Sequence, residues 1–162
     1  MRTVFIVDDN QTNLLTAKEV LDGKYRAFAM QSAEKMFEIL EKVKPDLILL
    51  DVEMIGMDGF TALAKLKENK ETAKIPVVFL TLYNDEALAT QAFEAGAADF
   101  ISKPFIKPIL LNCVATQIKI TSLNNTITAI GEKISIGAYA AAITIIDEYH
   151  QSPAWKYTNI PE

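Results

Sequence analysis

Cysteine and histidine are all but missing from this chain. Cys113 is the single cysteine among 162 residues, which excludes an intrachain disulfide, a CxxC redox pair and a cysteine-rich zinc site. A reducing cytosol, and hence a cytoplasmic location, fits that usage. His150 is the single histidine. It excludes an HExxH zinc centre and leaves a Ser-His-Asp triad resting on one residue near the end of the chain, where an ordinary surface histidine is the plainer reading. No apolar run approaches the roughly 18 residues that span a bilayer, and Met1-Arg2-Thr3 leads into a strand pattern without the marks of a signal peptide. Nor is there a Lys/Arg cluster, and the net charge is -5. Neither nucleic acid nor a membrane is therefore expected as a direct partner.

Half of the residues are hydrophobic, enough to fill a core, and the length suits one domain of about 100–150 residues with an appendage. The informative pattern lies at the ends of four short apolar runs. Val4 to Val7 leads into Asp8 and Asp9, Leu47 to Leu50 into Asp51, Val77 to Leu80 into Thr81, and Phe100-Ile101 into Ser102, Lys103 and Pro104. Each run is rich in Val, Ile, Leu or Phe and is followed by a helical pattern, as expected for parallel strands buried on both faces. Parallel strands share a direction, so their carboxyl ends line one edge. Ligands of open α/β sheets bind at that edge, where the strand order reverses.

The intervening segments complete the pattern. Asn10 to Leu21 reads as a helix with Leu14, Leu15, Ala17 and Leu21 apolar and Gly23 as its stop. Tyr25 to Met30 is polar enough for an edge strand. Ser32 caps a helix whose apolar face is Ala33, Met36, Phe37, Leu40 and Val43, ending near Pro45. Asp58 follows a Gly56-Met57 turn and caps a helix through Phe60, Leu63, Ala64 and Lys67. Glu68 to Lys74 is a loop, and Pro76 opens the fourth strand. Asn84 or Asp85 caps a helix with Leu88, Ala92 and Ala95, stopped at Gly96. Asp99 to Ile101 is the fifth strand, and Pro108 begins a helix with Leu111, Val114 and Ile118 inward. Five β-then-α units joined by right-handed crossovers predict an α/β doubly wound five-stranded parallel sheet, flavodoxin-like in order 2-1-3-4-5, with a C-terminal helical extension. The switch point falls between strands bearing Asp8, Asp9 and Asp51.

Three carboxylates at one crevice raise one another's pKa unless a cation joins them. Magnesium, which favours oxygen ligands from one or two carboxylates, waters and a phosphate, suits such an open acidic pocket. Thr81 offers a hydroxyl and Lys103 an ammonium to phosphoryl oxygens. An aspartate can act as a phosphoryl nucleophile, forming an acyl phosphate. Asp51 is the candidate, since it stands alone while Asp8 and Asp9 come as a metal-binding pair. Taken singly, each of these residues is as well explained as a cap, a strand terminus or a surface charge; the argument is their joint occurrence.

With FIVDDN, LILLDVEM, the Met57-Asp58-Gly59 turn, VVFLT and DFISKPF in this order, residues 1–120 resemble the receiver domain of bacterial two-component response regulators. The resemblance implies a phosphorylation-dependent signalling switch rather than a conventional enzyme, with Asp51 accepting a phosphoryl group from a sensor histidine kinase or phosphotransfer protein and catalysing its own phosphorylation and dephosphorylation. It implies magnesium held directly by Asp9, Asp51 and the Glu53 main-chain carbonyl, with Asp8 acting mainly through water. Thr81 and Lys103 would bind the phosphoryl oxygens, and the Lys103–Pro104 bond would be cis. Thr81 and Phe100 would form the switch, altering a helix4-strand5-helix5 face that controls a downstream partner or a missing output domain. Departures are informative. Ile55 stands where the family usually has proline, which implies a looser loop after Asp51. Leu82 follows Thr81 where a small residue is usual, which predicts a slowly hydrolysed acyl phosphate; an unchanged dephosphorylation rate in Leu82→Ala would contradict this. Glu53 and Tyr83 occupy positions that vary in the family.

Residues 121–162 form an extension beyond the resemblance. Ile120, Leu123, Ile127, Ile130 and Ile134 fall at alternating spacings of three and four, the seam of a short coiled coil and a route to a homodimer. Gly131, Gly137 and the Thr/Ile content weaken a helix and also suit strands. Ser135 to Ile146 is apolar, Ser152-Pro153 breaks the pattern, and Trp155 and Tyr157 form an aromatic end. From Leu123 onward there are two lysines and four acidic residues, too few positive charges for a winged-helix DNA reader. The extension reads as a dimerisation segment or as a linker to an output domain. Two rival functions remain: an aspartate-nucleophile phosphohydrolase, since Asp51-Val52-Glu53 loosely imitates its acidic pair, and a phosphorylation-independent receiver-like binding module.

Overall fold

The computed structural model describes residues 1–82 and 86–151, with side chains described through residue 132 except at residue 86. Asn84, Asp85 and Tyr83 lie outside the described residues, as do Ser152-Pro153, Trp155 and Tyr157. Strands and helices alternate along the chain: β1 (Thr3–Val7), α1 (Gln11–Leu21), β2 (Arg26–Met30), α2 (Ala33–Leu40), β3 (Leu47–Asp51), α3 (Gly59–Glu68), β4 (Val77–Thr81), α4 (Glu86–Glu94), β5 (Asp99–Ser102) and α5 (Lys107–Gln151). All five strands are parallel, in the order β2-β1-β3-β4-β5. This is the flavodoxin-like arrangement that the alternating runs predict.

By its contacts the chain divides into two units, Met1–Thr121 and Ser122–Glu162. In the first, period-two alternation sends successive residues of each strand to opposite faces. Phe5, Val7, Ile48, Leu50, Val77 and Phe79 meet Ala33 and Met36 of α2, Ala62, Leu63 and Leu66 of α3, and Ala92 of α4. Val4, Ile6, Leu47, Leu49, Val78 and Leu80 meet Leu14, Ala17 and Leu21 of α1 and Leu110, Val114 and Ile118 of α5. Two helices thus cover one face and three the other. β3 and β4 are buried at every residue, which is why they read as unbroken apolar runs.

Caps start the helices where the strands deliver the chain. The Asn10 side chain accepts from the N–H groups of Thr12 and Asn13, Ser32 from Lys35, and Asp58 from Thr61. Each satisfies a donor that the first helical turn leaves unpaired. α2 ends at Leu40, earlier than Pro45 implies, yet Val43 still packs against the core from the turn that follows. In α5 Leu110 and Val114 are fully buried, and Leu111 is only partly so. An unbroken Ile109-Leu110-Leu111 run carries no phase information, so the inward face is decided by where the helix begins.

In the second unit α5 remains helical from Ser122 to Gln151. Residues 122–132 are exposed at every position, and the hydroxyls of Thr126 and Thr128 donate back to the carbonyls four residues earlier.

Candidate functional site

The sheet's switch point, between β1 and β3, brings Asp8, Asp9 and Asp51 together, with carboxylate oxygens of the three all within 4.8 Å of one another. Asp8 is completely buried and Asp51 nearly so. Thr81, at the end of β4, is also buried, and its carbonyl accepts from the Lys103 N–H at 2.7 Å, which pins the segment after β5 beside β4. From there the Lys103 ammonium reaches both buried carboxylates, Asp8 Oδ2 at 2.7 Å and Asp51 Oδ2 at 2.8 Å. The Lys103–Pro104 peptide is cis. The site opens on a crevice of about 220 Å³ lined by Asp9, Asn10, Asn13, Asp51, Val52, Glu53, Thr81, Leu82 and Lys103.

One ammonium stands among three carboxylates here and pairs with two of them. The Asp51 carboxyl is raised above its ordinary value by burial, with the Asp8 charge adding to the shift, while the Lys103 hydrogen bond and the Glu53 N–H pull the other way. The Glu53 N–H lies 3.4 Å from Asp51 Oδ1. Asp9 is partly exposed at the crevice, and its Oδ2 accepts from the Ile55 N–H at 3.0 Å. A proline at Ile55 has no N–H to give. Contrary to the looser loop expected at this position, the Ile55 N–H ties the loop after β3 to the end of β1, while its side chain stands in solvent.

Leu82, 67% exposed, lies at the mouth of the crevice. Phe100 is partly buried on β5 against the core and makes an edge contact with Phe93, ring centroids 5.9 Å apart. Between Thr81 and Phe100 lies a small gap of about 10 Å³, closed by Val52, Phe79, Leu88, Ala89 and Ala92.

Two contributors carry no role in the sequence reading. Asn13 donates from Nδ2 to both Asp8 oxygens at 3.1 Å; a polar side chain in the first turn of α1, soon after an acidic pair, is the only trace of this in the sequence. Gly59 opens α3 directly against Asp51. A Cβ built there would lie 2.3 Å from the Asp51 carbonyl oxygen and 2.9 Å from Val52 Cα, and its N–H donates to the Val52 carbonyl at 2.9 Å. The glycine in the Met57-Asp58-Gly59 turn is thus required by close backbone approach.

A flavodoxin-like sheet with a buried acidic crevice at its switch point, able to hold a metal ion, defines the class. A family model described as the response regulator receiver domain matches residues 4–115, and the chain belongs to that family, a family of signalling domains rather than conventional enzymes. The response regulator PleD of Caulobacter vibrioides is 36% identical over 102 residues, covering 62% of this chain and 22% of that protein. Protein PilH of Pseudomonas aeruginosa is 28% identical over 115 residues, covering 70% of this chain and 95% of PilH. The crystal structure of the signal receiver domain of a signal transduction histidine kinase from Syntrophus aciditrophicus superposes with a TM-score of 0.67 at 30% identity, over 74% of this chain and 91% of that one. The chain spans about a quarter of the length of the first curated relatives it matches. Among the described residues, no helix is long and apolar enough to cross a membrane.

Proposed function

We propose that this receiver domain is a phosphorylation-dependent switch whose phosphoacceptor is Asp51. The observation that carries the reading is the placement of Asp51: a buried carboxylate ending the central strand, 2.8 Å from the Lys103 ammonium, beside Asp8 and open to the crevice. An Asp51 oxygen attacks phosphorus, the P–N bond of a phosphohistidine donor breaks, and the histidine nitrogen keeps the electron pair. The negative charge of Asp51 is carried outward onto the phosphoryl oxygens, and the Lys103 ammonium and Thr81 hydroxyl bind them there. The donor is a sensor histidine kinase or a phosphotransfer protein in the cytoplasm; the matched Syntrophus chain is itself a receiver domain of a histidine kinase.

The donor set fits magnesium. All candidate ligands are hard oxygens, and one lysine stands against three carboxylates. Asp9, Asp51 and the Glu53 carbonyl would hold the ion, with Asp8 acting through water. When bound it supplies a Lewis acid that neutralises charge on the phosphoryl oxygens. The gap beside Thr81 supports a switch in which Thr81 shifts toward the phosphoryl group and Phe100 turns inward, changing the face built by α4, β5 and α5 for a downstream partner.

Residues 121–162 we assign to an extension that pairs with a second copy. Leu123, Ile127 and Ile130 are exposed along one side of the helix at spacings of four and three. Light scattering checks this: Ile127→Glu is expected to shift a dimer toward monomer, and a monomeric parent would contradict it.

The test of the main reading is the intact mass after incubation with acetyl phosphate. A gain of one phosphoryl group that requires magnesium and is absent in Asp51→Asn is expected; no gain in the parent would contradict the reading.

A further inference from the structure

The completely buried Asp8 carboxylate is surrounded by donors. Its Oδ1 accepts from the Asn10 N–H at 2.9 Å and from Asn13 Nδ2 at 3.1 Å. Its Oδ2 accepts from the same Asn13 nitrogen at 3.1 Å and from Lys103 Nζ at 2.7 Å. Four contacts thus hold the group. Two come from one amide. Lys103 is shared with Asp51, and a single N–H from Asn10 leaves the carboxylate free to rotate about its own bond. Among the described residues, Asn13 is the one donor that spans both oxygens and so aligns them by itself. The amide must present its nitrogen here, because its carbonyl would face an anion.

Asn13 is itself held. It sits in the first turn of α1, where its N–H donates to the Asn10 capping oxygen at 3.3 Å, and its side chain lines the crevice. Being neutral, it orients Asp8 without adding to the negative charge or competing with Lys103 for Asp51.

We infer that Asn13 is a positioning residue of the cation site. By aligning Asp8, it turns that carboxylate to meet the ion through water, while Asp9 and Asp51 meet it directly. The inference rests on the magnesium and phosphoacceptor reading above. Outer partners of this kind typically alter metal affinity by about 10- to 100-fold when removed.

The experiment is a calorimetric magnesium titration of the full chain, parent against Asn13→Leu, which keeps the reach of the side chain and removes the donor, and Asn13→Ser, whose hydroxyl cannot span both oxygens. Titrations run well below the unfolding temperature and are paired with acetyl phosphate labelling rates across magnesium concentration. Both variants are expected to bind magnesium about tenfold or more weakly, with the half-saturating concentration for labelling displaced alike and the rate at saturation kept within about threefold. A purely structural role would lower the unfolding temperature and leave the isotherm in place. Affinity within about threefold of the parent in the variant that folds would overturn the role of Asn13 alone. A parent that binds no magnesium would overturn the cation reading and this inference with it.

Discussion

Ion pairs of nearly equal length sit at both edges of the sheet. At the amino edge, Arg2 meets Asp46 at 2.7 Å, with the two side chains 56% and 26% exposed. At the carboxyl edge, Lys103 meets Asp8 at 2.7 Å and Asp51 at 2.8 Å, with no side chain more than 7% exposed. Water screens the first pair and supplies an alternative to every contact it makes. The second is shielded by burial, so its balance of one cation against crowded carboxylates is enforced by the fold. Distance alone does not distinguish them; burial and charge count do. An arrangement that costs desolvation and leaves Asp51 raised is poor material for stability alone, and it stands where the fold binds ligands.

The contrast is broken most severely at Lys103. Lys103→Met leaves Asp8 and Asp51 buried without their cation, and the metal-free protein is expected to lose about 3–5 kcal/mol in denaturant unfolding. An unchanged midpoint would remove the basis of the comparison. Gly59→Ala acts on the same edge through sterics: the new Cβ meets the Asp51 carbonyl, with an expected cost of about 1–3 kcal/mol in the same assay and slower labelling of the displaced Asp51. The pH dependence sharpens the comparison. Because the Asp51 carboxyl is raised in the folded state, the folded chain holds that proton more readily than the unfolded one. Its stabilising effect is complete below the ordinary carboxylate value and is lost as pH rises through the folded value. Without magnesium, the parent is therefore expected to lose stability relative to Asp51→Asn as pH rises above the ordinary carboxylate value; a flat or opposite difference would be inconsistent. The smallest effect belongs to the other edge, where Arg2→Ala should cost less than about 1 kcal/mol, shrink further in salt, and leave labelling of Asp51 untouched.

The same two edges explain what could be read before the structure. The carboxyl ends of β1, β3 and β4 were legible because a sheet covered on both faces forces unbroken apolar runs, and any polar residue that ends such a run is conspicuous. What Lys103 touches was not legible. It reads as a ligand for phosphoryl oxygens, whereas its partners in the structure are two carboxylates, a fact of reach rather than of sequence. Asn13 and Gly59 were missed as site residues for a related reason: one acts through Asp8, the other through an absent Cβ. The choice of Leu110 over Leu111 as the buried residue depends on helix phase, which three successive apolar residues do not encode. In the second unit, Ile and Thr serve strand and helix patterns alike, and Leu123, Ile127 and Ile130 are exposed at the same kind of spacing that buries Leu14, Ala17 and Leu21 in α1. Periodicity names a face and is silent about what covers it.

In the proposed function, the buried carboxylates are kept for a cation and a phosphoryl group at the expense of stability. The most direct test is thermal unfolding of the parent and Asp51→Asn at neutral pH, without and with saturating magnesium. The variant should be the more stable protein without metal, and the parent should overtake it when magnesium is present, since a ligand stabilises the form it binds more tightly. Equal magnesium shifts in the two proteins, or a variant already weaker without metal, would contradict the account.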